Sequence, residues 1–285
     1  MTRILDVTGL SRSFGAVHAV REVSFGIDQG EVVSIIGPNG SGKTTTINLV
    51  SGELRPGSGS VIFRGERIAG HSSDAVARRG LRRTFQNGRV FGNATVAENV
   101  VIGQTPRSVA ASPLRGIRGI PILRWVALVT ETVLAVTGTP ALRREYAAMQ
   151  AEVSTQLARF STRLAPRRDH PAWTLSYANR RRTEIARALA SEPELLLLDE
   201  PTAGMNTSET QEVMHQLLDL KAQGQTMVIV EHKLDLVMTL SDRVIVMDGG
   251  EIIATGTPAE VQNDARVIEA YLGKRQRPGQ AGGGA

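Results

Sequence analysis

Residues 37–44 read Gly37-Pro38-Asn39-Gly40-Ser41-Gly42-Lys43-Thr44, a full match to the phosphate-binding pattern GxxxxGK[ST]. An apolar strand candidate, Glu31-Val32-Val33-Ser34-Ile35-Ile36, precedes the loop, and Thr45-Thr46-Ile47-Asn48-Leu49-Val50 follows as a helix start. Such a strand–loop–helix unit demands an α/β fold whose loop leaves the end of a buried strand. The glycines allow successive backbone N–H groups to face phosphate oxygens, and the helix N-terminus adds a favourable dipole. Gly37 through Thr44, with Thr45 at the helix start, are the expected contacts of a nucleoside triphosphate. Among them Lys43 is placed to reach the β- and γ-phosphates, and the Thr44 hydroxyl to ligate Mg²⁺.

A phosphate loop alone names no reaction. The run Leu195-Leu196-Leu197-Leu198-Asp199 reads as a strand buried on both faces, and it ends in Asp199-Glu200. In a parallel sheet strand C-termini gather at the ligand edge. Asp199 is therefore expected beside the magnesium at Thr44, through a water ligand. Glu200 is expected on the γ-phosphate side, polarising an attacking water. A second apolar run, Thr226-Met227-Val228-Ile229-Val230, leads to Glu231-His232 at the matching position. His232 is a candidate for a γ-phosphate contact, although a lone histidine at a strand end is commonly structural.

The remaining chain supplies the frame. Residues 3–8 and 20–28 alternate apolar and polar side chains, as antiparallel strands do, and Gly57-Ser58-Gly59-Ser60 reads as a turn before a strand at Val61-Ile62-Phe63. Residues 74–83 are expected to be helical, with arginines on an exposed face. From about Gln86 to Ala172 strand signals fade, and Pro106, Pro113, Pro121 and Pro140 punctuate a helical region. A helix is expected at about 207–223. Asp248-Gly249-Gly250 between two apolar runs is a hairpin signal.

With 285 residues, 41% hydrophobic and 21% charged, the chain is long enough for a sizeable core. Cysteine is absent, which excludes disulfides and thiolate metal sites. The N-terminus lacks the apolar core of a signal peptide, and the stretch 120–136 carries Arg124 and Glu131, too short and charged to span a bilayer. A cytosolic compartment is implied. The net charge is +5, with arginines gathered at Arg78-Arg79, Arg82-Arg83, around Arg115 to Arg124, and at Arg180-Arg181-Arg182. No aromatic residues interleave with them, so a solvated or membrane-proximal face is expected, and nucleic acid is not.

Together these motifs resemble the ATP-binding-cassette (ABC) ATPases over about Ile4 to Gly273. Thr84-Phe85-Gln86-Asn87 matches the family's glutamine loop, Leu175-Ser176-Tyr177-Ala178-Asn179 stands at its signature motif, and Pro201-Thr202-Ala203-Gly204-Met205-Asn206 follows the glutamate. Phe14, in Ser13-Phe14-Gly15, stands where the family stacks an aromatic ring on adenine. The resemblance implies a P-loop NTPase core with a parallel sheet, an antiparallel β subdomain and a helical subdomain. One nucleotide-binding domain is expected over 1–273: core at 1–86 and 180–257, helical subdomain at about 87–179 and C-terminal helix at 258–273. A disordered tail, 274–285, would follow. It implies ATP and Mg²⁺ as cofactors, a catalytic and metal contact for Gln86, and nucleotide contacts for Phe14, Ser176 and Ala178. It also implies a head-to-tail dimer with a second ATPase subunit, identical or not, in which each ATP lies between the phosphate loop of one cassette and the signature of the other.

The long insertion after Gln86, Tyr177 in the signature, Asn206 and the ending Val267-Ile268-Glu269-Ala270-Tyr271-Leu272-Gly273 resemble the long-insertion ATPase subunits of branched-chain amino-acid importers. Urea or amide importers share much of this. Implied partners are two membrane permeases and, through them, an extracytoplasmic solute-binding protein, with the ATPase peripheral on the cytoplasmic face of the membrane. Alternatives are a lipopolysaccharide-export-like ATPase, a soluble cassette acting on ribosomes or nucleic acid, and a low-turnover cassette. The last arises because Ala178 replaces the family's glycine and Asn179 its glutamine or glutamate. Either the Ala178 methyl obstructs the phosphate approach and slows turnover, or the helix start absorbs it. The apolar stretch 120–136 is expected to pack as core or to dock on a membrane partner.

Overall fold

The computed structural model describes residues 2–84, 90–104 and 140–272. Gln86, the apolar stretch 120–136 and the tail 274–285 lie outside the described residues. Contacts divide the chain into two units: the described residues of Met1–Asn87 with Glu194–Ala285, and those of Gly88–Pro193. The strands are β1 (Arg3–Phe14), β2 (Val17–Asp28), β3 (Val32–Ile36), β4 (Ser58–Phe63), β5 (Glu66–Arg67) and β6 (Leu81–Arg83). They continue with β7 (Leu195–Asp199), β8 (Thr226–Val230), β9 (Arg243–Asp248) and β10 (Glu251–Gly256). The helices are α1 (Lys43–Val50), α2 (Ser73–Arg78), α3 (Val96–Gln104), α4 (Pro140–Arg159) and α5 (Tyr177–Leu189). Towards the C-terminus follow α6 (Thr207–Ala222), α7 (Leu234–Leu240), α8 (Pro258–Gln262) and α9 (Ala265–Leu272).

In the first unit a six-stranded sheet has the order β10-β9-β3-β8-β7-β6. Its strands β9, β3, β8, β7 and β6 run parallel, and β10 returns antiparallel on β9. Every residue of β3, β7 and β8 is buried, which is why these segments read as unbroken apolar runs. Register aligns Ile35 with Val230 and Val230 with Asp199, so the loops leaving β3, β8 and β7 emerge at one edge. A four-stranded antiparallel sheet, β2-β1-β4-β5, shares an apolar core with it through Leu5, Val7, Ile47, Leu49, Leu197 and Val228. Gly249 (φ 56°) and Gly250 (φ 89°) turn β9 into β10 with two left-handed residues, the geometry that matches strand twist in a two-residue hairpin.

Four expectations change. The helix predicted over 74–83 stops at Arg78, because Gly80 turns left-handed (φ 98°) and its carbonyl accepts from Glu194 N. Leu81–Arg83 then joins the sheet beside β7, and a three-residue strand is too short to show its period in sequence. Arg83 accordingly points inward, and Arg181 and Arg182 are fully buried, so these three do not lie on a solvated face, whereas Arg78 is exposed as expected. The turn at 57–60 is largely strand: Ser58 and Ser60 already pair with β1, which with β2 runs 12 residues. The helix expected over 258–273 is two helices. Thr257 and Glu260 box the start of α8, and Asp264 accepts from Arg266 N to begin α9.

The second unit is helical, built from α3, α4 and α5 around Val96, Val100, Val153, Leu157, Phe160 and Ile185. The helix α5 belongs to it whole. Among the described residues no helix is long and apolar enough to cross a membrane.

Candidate active site

The phosphate loop begins where β3 ends at Ile36. A Cβ on Gly37 (φ 149°) would lie 2.0 Å from the Met247 carbonyl oxygen, so only glycine lets the chain turn so close to β9. Gly42 (φ 100°) caps α1, and the Thr46 hydroxyl donates back to its carbonyl at 3.0 Å. The Lys43 ammonium curls over the loop, donating to Gly37 O at 2.8 Å and Pro38 O at 2.9 Å. A positively charged group is thereby held at the centre of the loop. Tyr271 of α9 packs on the cluster containing Ile36. Burial pushes its phenol above the ordinary tyrosine range, opposed by a hydrogen bond from the Gly37 backbone N–H.

An open cavity of about 1190 Å³ lies over this loop. Lys43, Thr44, Thr45, Phe14, Glu200 and His232 all line it, so the sequence-predicted lysine and glutamate share one space. Phe14 stands half-exposed near the tip of the β1–β2 hairpin, with the Arg12 guanidinium 5.1 Å from its ring centroid. Ser13 Oγ and His18 Nδ1, 2.8 Å apart, pin the two strands beside it. The ring is open to the cavity, and the cation near it interacts favourably with the π face.

Asp199 is fully buried at the end of β7, its Oδ2 accepting from Arg83 at 2.8 Å. Arg83 also donates to Asn48 Oδ1 and Ser51 Oγ near the end of α1. Glu200 holds a left-handed backbone (φ 50°), and its N–H donates to Val230 O at 2.8 Å. Its Oε1 lies 2.8 Å from His232 Nε2. Glu22, Arg64 and Glu192 share this uncommon conformation among the described non-glycine residues, and of the four only Glu200 lines the cavity. Asn206 caps α6 by accepting from Glu209 N, and the Glu209 carboxylate accepts in turn from Asn206 N.

Ser176 and Ala178 belong to the other unit. Ser176 caps α5, accepting from Asn179 N at 3.3 Å, and Asn179 Oδ1 receives Arg182 at 3.0 Å. Ala178 is only 3% exposed. Its methyl is buried, which favours the helix start absorbing it over an obstruction. Ala178→Gly is then expected to lower stability by about 0.5–1 kcal/mol while leaving the ATPase rate within about twofold. Thermal melts and phosphate release check this, and a tenfold rise in rate would restore the methyl as an obstacle.

Sequence reasoning missed Arg83, Glu231 and Lys233. Arg83 reads in sequence as part of a helix face, and the other two make contacts between loops that no local pattern announces.

Residues 20–203 match the ABC transporter family, and residues 251–276 match the branched-chain amino acid ATP-binding cassette transporter family. The chain is 36% identical over 272 residues to the high-affinity branched-chain amino acid transport ATP-binding protein LivG of Salmonella typhimurium. It is 36% identical over 278 residues to BraF of Pseudomonas aeruginosa, described in the same words. Each alignment covers 95% of this chain and 98% of the relative. Among solved structures, a nucleotide-free ATP-binding cassette from an ABC transporter superposes with a TM-score of 0.75 at 31% identity, covering 95% of this chain and 99% of that one. The ADP conformation of an ABC transporter cassette gives a TM-score of 0.75 at 30% identity, covering 96% and 100%. The parallel sheet, the glycine-built loop and the facing glutamate and histidine thus carry their family with them: the chain belongs to the ABC transporter family, as a nucleotide-binding ATPase cassette of the group that includes LivG and BraF.

Proposed function

We propose that this cassette hydrolyses ATP to drive a membrane importer for branched-chain amino acids or a related amide- or urea-type solute. The base stacks on Phe14, the phosphates lie over Gly37 to Thr45, and Lys43 exchanges its loop carbonyls for β- and γ-phosphate oxygens. Among the described residues no cluster of three or more His, Cys, Asp or Glu could hold a metal by itself. Mg²⁺ characteristically binds through one or two carboxylates together with nucleotide phosphates, and the Thr44 hydroxyl lines the cavity where those phosphates would lie. Thr44 and, through water, Asp199 would hold it, with Gln86 as a further ligand, and it would neutralise phosphate charge. Glu200 orients and deprotonates the attacking water. His232 holds the glutamate from one side and the γ-phosphate from the other.

Ser176 and Ala178 serve the ATP of a partner cassette, so that ATP joins two subunits, identical or paralogous, and hydrolysis releases them. The helical unit would carry this change to two permease subunits at the cytoplasmic face of the membrane, with a solute-binding protein acting from the far side. The energy of hydrolysis then appears as a population shift between permease states.

The observation behind the hydrolytic reading is the cavity shared by Lys43, Thr44, Glu200 and His232. The importer reading rests on likeness to LivG and BraF along 95% of the chain. Deleting the gene is expected to abolish energised uptake of labelled leucine, isoleucine and valine. The parent gene restores uptake and Lys43→Ala does not. Unimpaired uptake of all three in the deletion strain would reject branched-chain import.

A further inference from the structure

Two loops carry the Glu200–His232 pair, residues 200–206 after β7 and 231–233 after β8, and two side chains lock them together. Glu231, 3% exposed, spends both carboxylate oxygens on backbone and hydroxyl donors. Its Oε1 accepts from Thr202 N at 3.1 Å and Thr202 Oγ1 at 2.5 Å. Its Oε2 accepts from His232 N at 2.8 Å and Lys233 N at 3.3 Å. Lys233 reaches back the other way. Its ammonium donates to Thr202 O at 3.2 Å, Met205 O at 3.3 Å and Thr210 Oγ1 at 2.6 Å. Thr202, fully buried, is thus gripped by its N–H, its hydroxyl and its carbonyl.

We propose that Glu231 and Lys233 are positioning residues for hydrolysis, a brace that makes the loops bearing Glu200 and His232 move as one body. The proposal rests on the reading of Glu200 as the base. One carboxylate fixes the backbone two residues beyond Glu200 and the backbone of His232 itself, so the 2.8 Å contact between those side chains is set from behind. The same brace holds Glu200 in its left-handed conformation, which an unsupported loop would relax. Through Met205 it extends to Asn206 and the cap of α6. A shift of His232 therefore reaches the far end of the 200–206 loop without a separate step. Neither Glu231 nor Lys233 lines the nucleotide cavity, so neither touches the nucleotide directly.

The test compares Glu231→Gln, Lys233→Met and Lys233→Arg with the parent, reading kcat and KM for MgATP, equilibrium binding of a fluorescent ATP analogue, and thermal melting. Glu231→Gln places an amide NH₂ against donors, and Lys233→Met removes three bonds from a half-buried site that tolerates an apolar stem. Both are expected to lower kcat about 10- to 100-fold, the scale of a misplacement near 1 Å. Analogue affinity should stay within about twofold, and Lys233→Arg should recover part of the rate. Folded variants with parental kcat and only a lowered melting temperature would overturn the brace. A parent without ATPase activity would instead overturn the reading on which it rests. Should Glu231→Gln fail to fold, Lys233→Met decides, because parental kcat in that variant is equally fatal.

Discussion

Glu200→Gln is expected to reduce steady-state ATP turnover by at least about 100-fold while nucleotide affinity stays within about twofold. The amide has nearly the volume of the carboxylate, and its oxygen still accepts from His232 Nε2, 2.8 Å away in the parent. The loop geometry and the cavity therefore survive, and what is lost is the capacity to take a proton from water. Glu200→Ala removes both the base and the histidine's partner, so it should fall at least as far. Lys43→Ala contrasts with both, because it strips the charge from the phosphate loop and weakens binding itself. Because hydrolysis would release the paired cassettes, Glu200→Gln should also accumulate an ATP-dependent dimer. Phosphate release, analogue titration and size-exclusion chromatography with ATP separate these outcomes. Equal hydrolysis by Glu200→Gln and the parent would remove Glu200 as the base.

The parts of this molecule legible in sequence share one property: a side-chain pattern that survives in one dimension. Leu195–Asp199 and Thr226–Val230 announce buried parallel strands because both faces are covered, and Gly249-Gly250 announces its hairpin because two left-handed residues are needed there. The phosphate loop is legible for the same reason: a Cβ at Gly37 would overlap a carbonyl of β9. The strand Leu81–Arg83 is not legible, since its three residues join the sheet through β7, a neighbour more than a hundred positions away. Nor is the burial of Arg181 and Arg182, whose charges are accommodated by Glu184 and by Asn179 on the same helix turn. Polar residues that act through distant loops look like surface in sequence. Their partners become visible only when the sheet brings strand ends together.

Arg83 carries the largest expected effect on stability. Its side chain is 7% exposed and that of Asp199 is not exposed at all, and their 2.8 Å contact joins the end of β6 to the end of β7. Its bonds to Asn48 and Ser51 tie both to α1, the helix that starts at Lys43. Burying two charges costs nearly as much as their attraction returns, so such a pair adds little net stability. Removing one partner is different, because the other charge stays buried without it. Arg83→Met is therefore expected to cost about 3–5 kcal/mol. For a chain of this size that corresponds to a fall of roughly 6–20 °C in melting temperature. Arg83→Lys keeps the charge but not the planar fork that spans Asp199, Asn48 and Ser51, and should fall between. Adding Asp199→Asn to Arg83→Met should recover part of the loss, since the neutral amide no longer needs a cation. Calorimetric melts of the four proteins in the absence of nucleotide read this directly. A double variant no more stable than Arg83→Met would place the energy in the bonds to α1 instead of the ion pair.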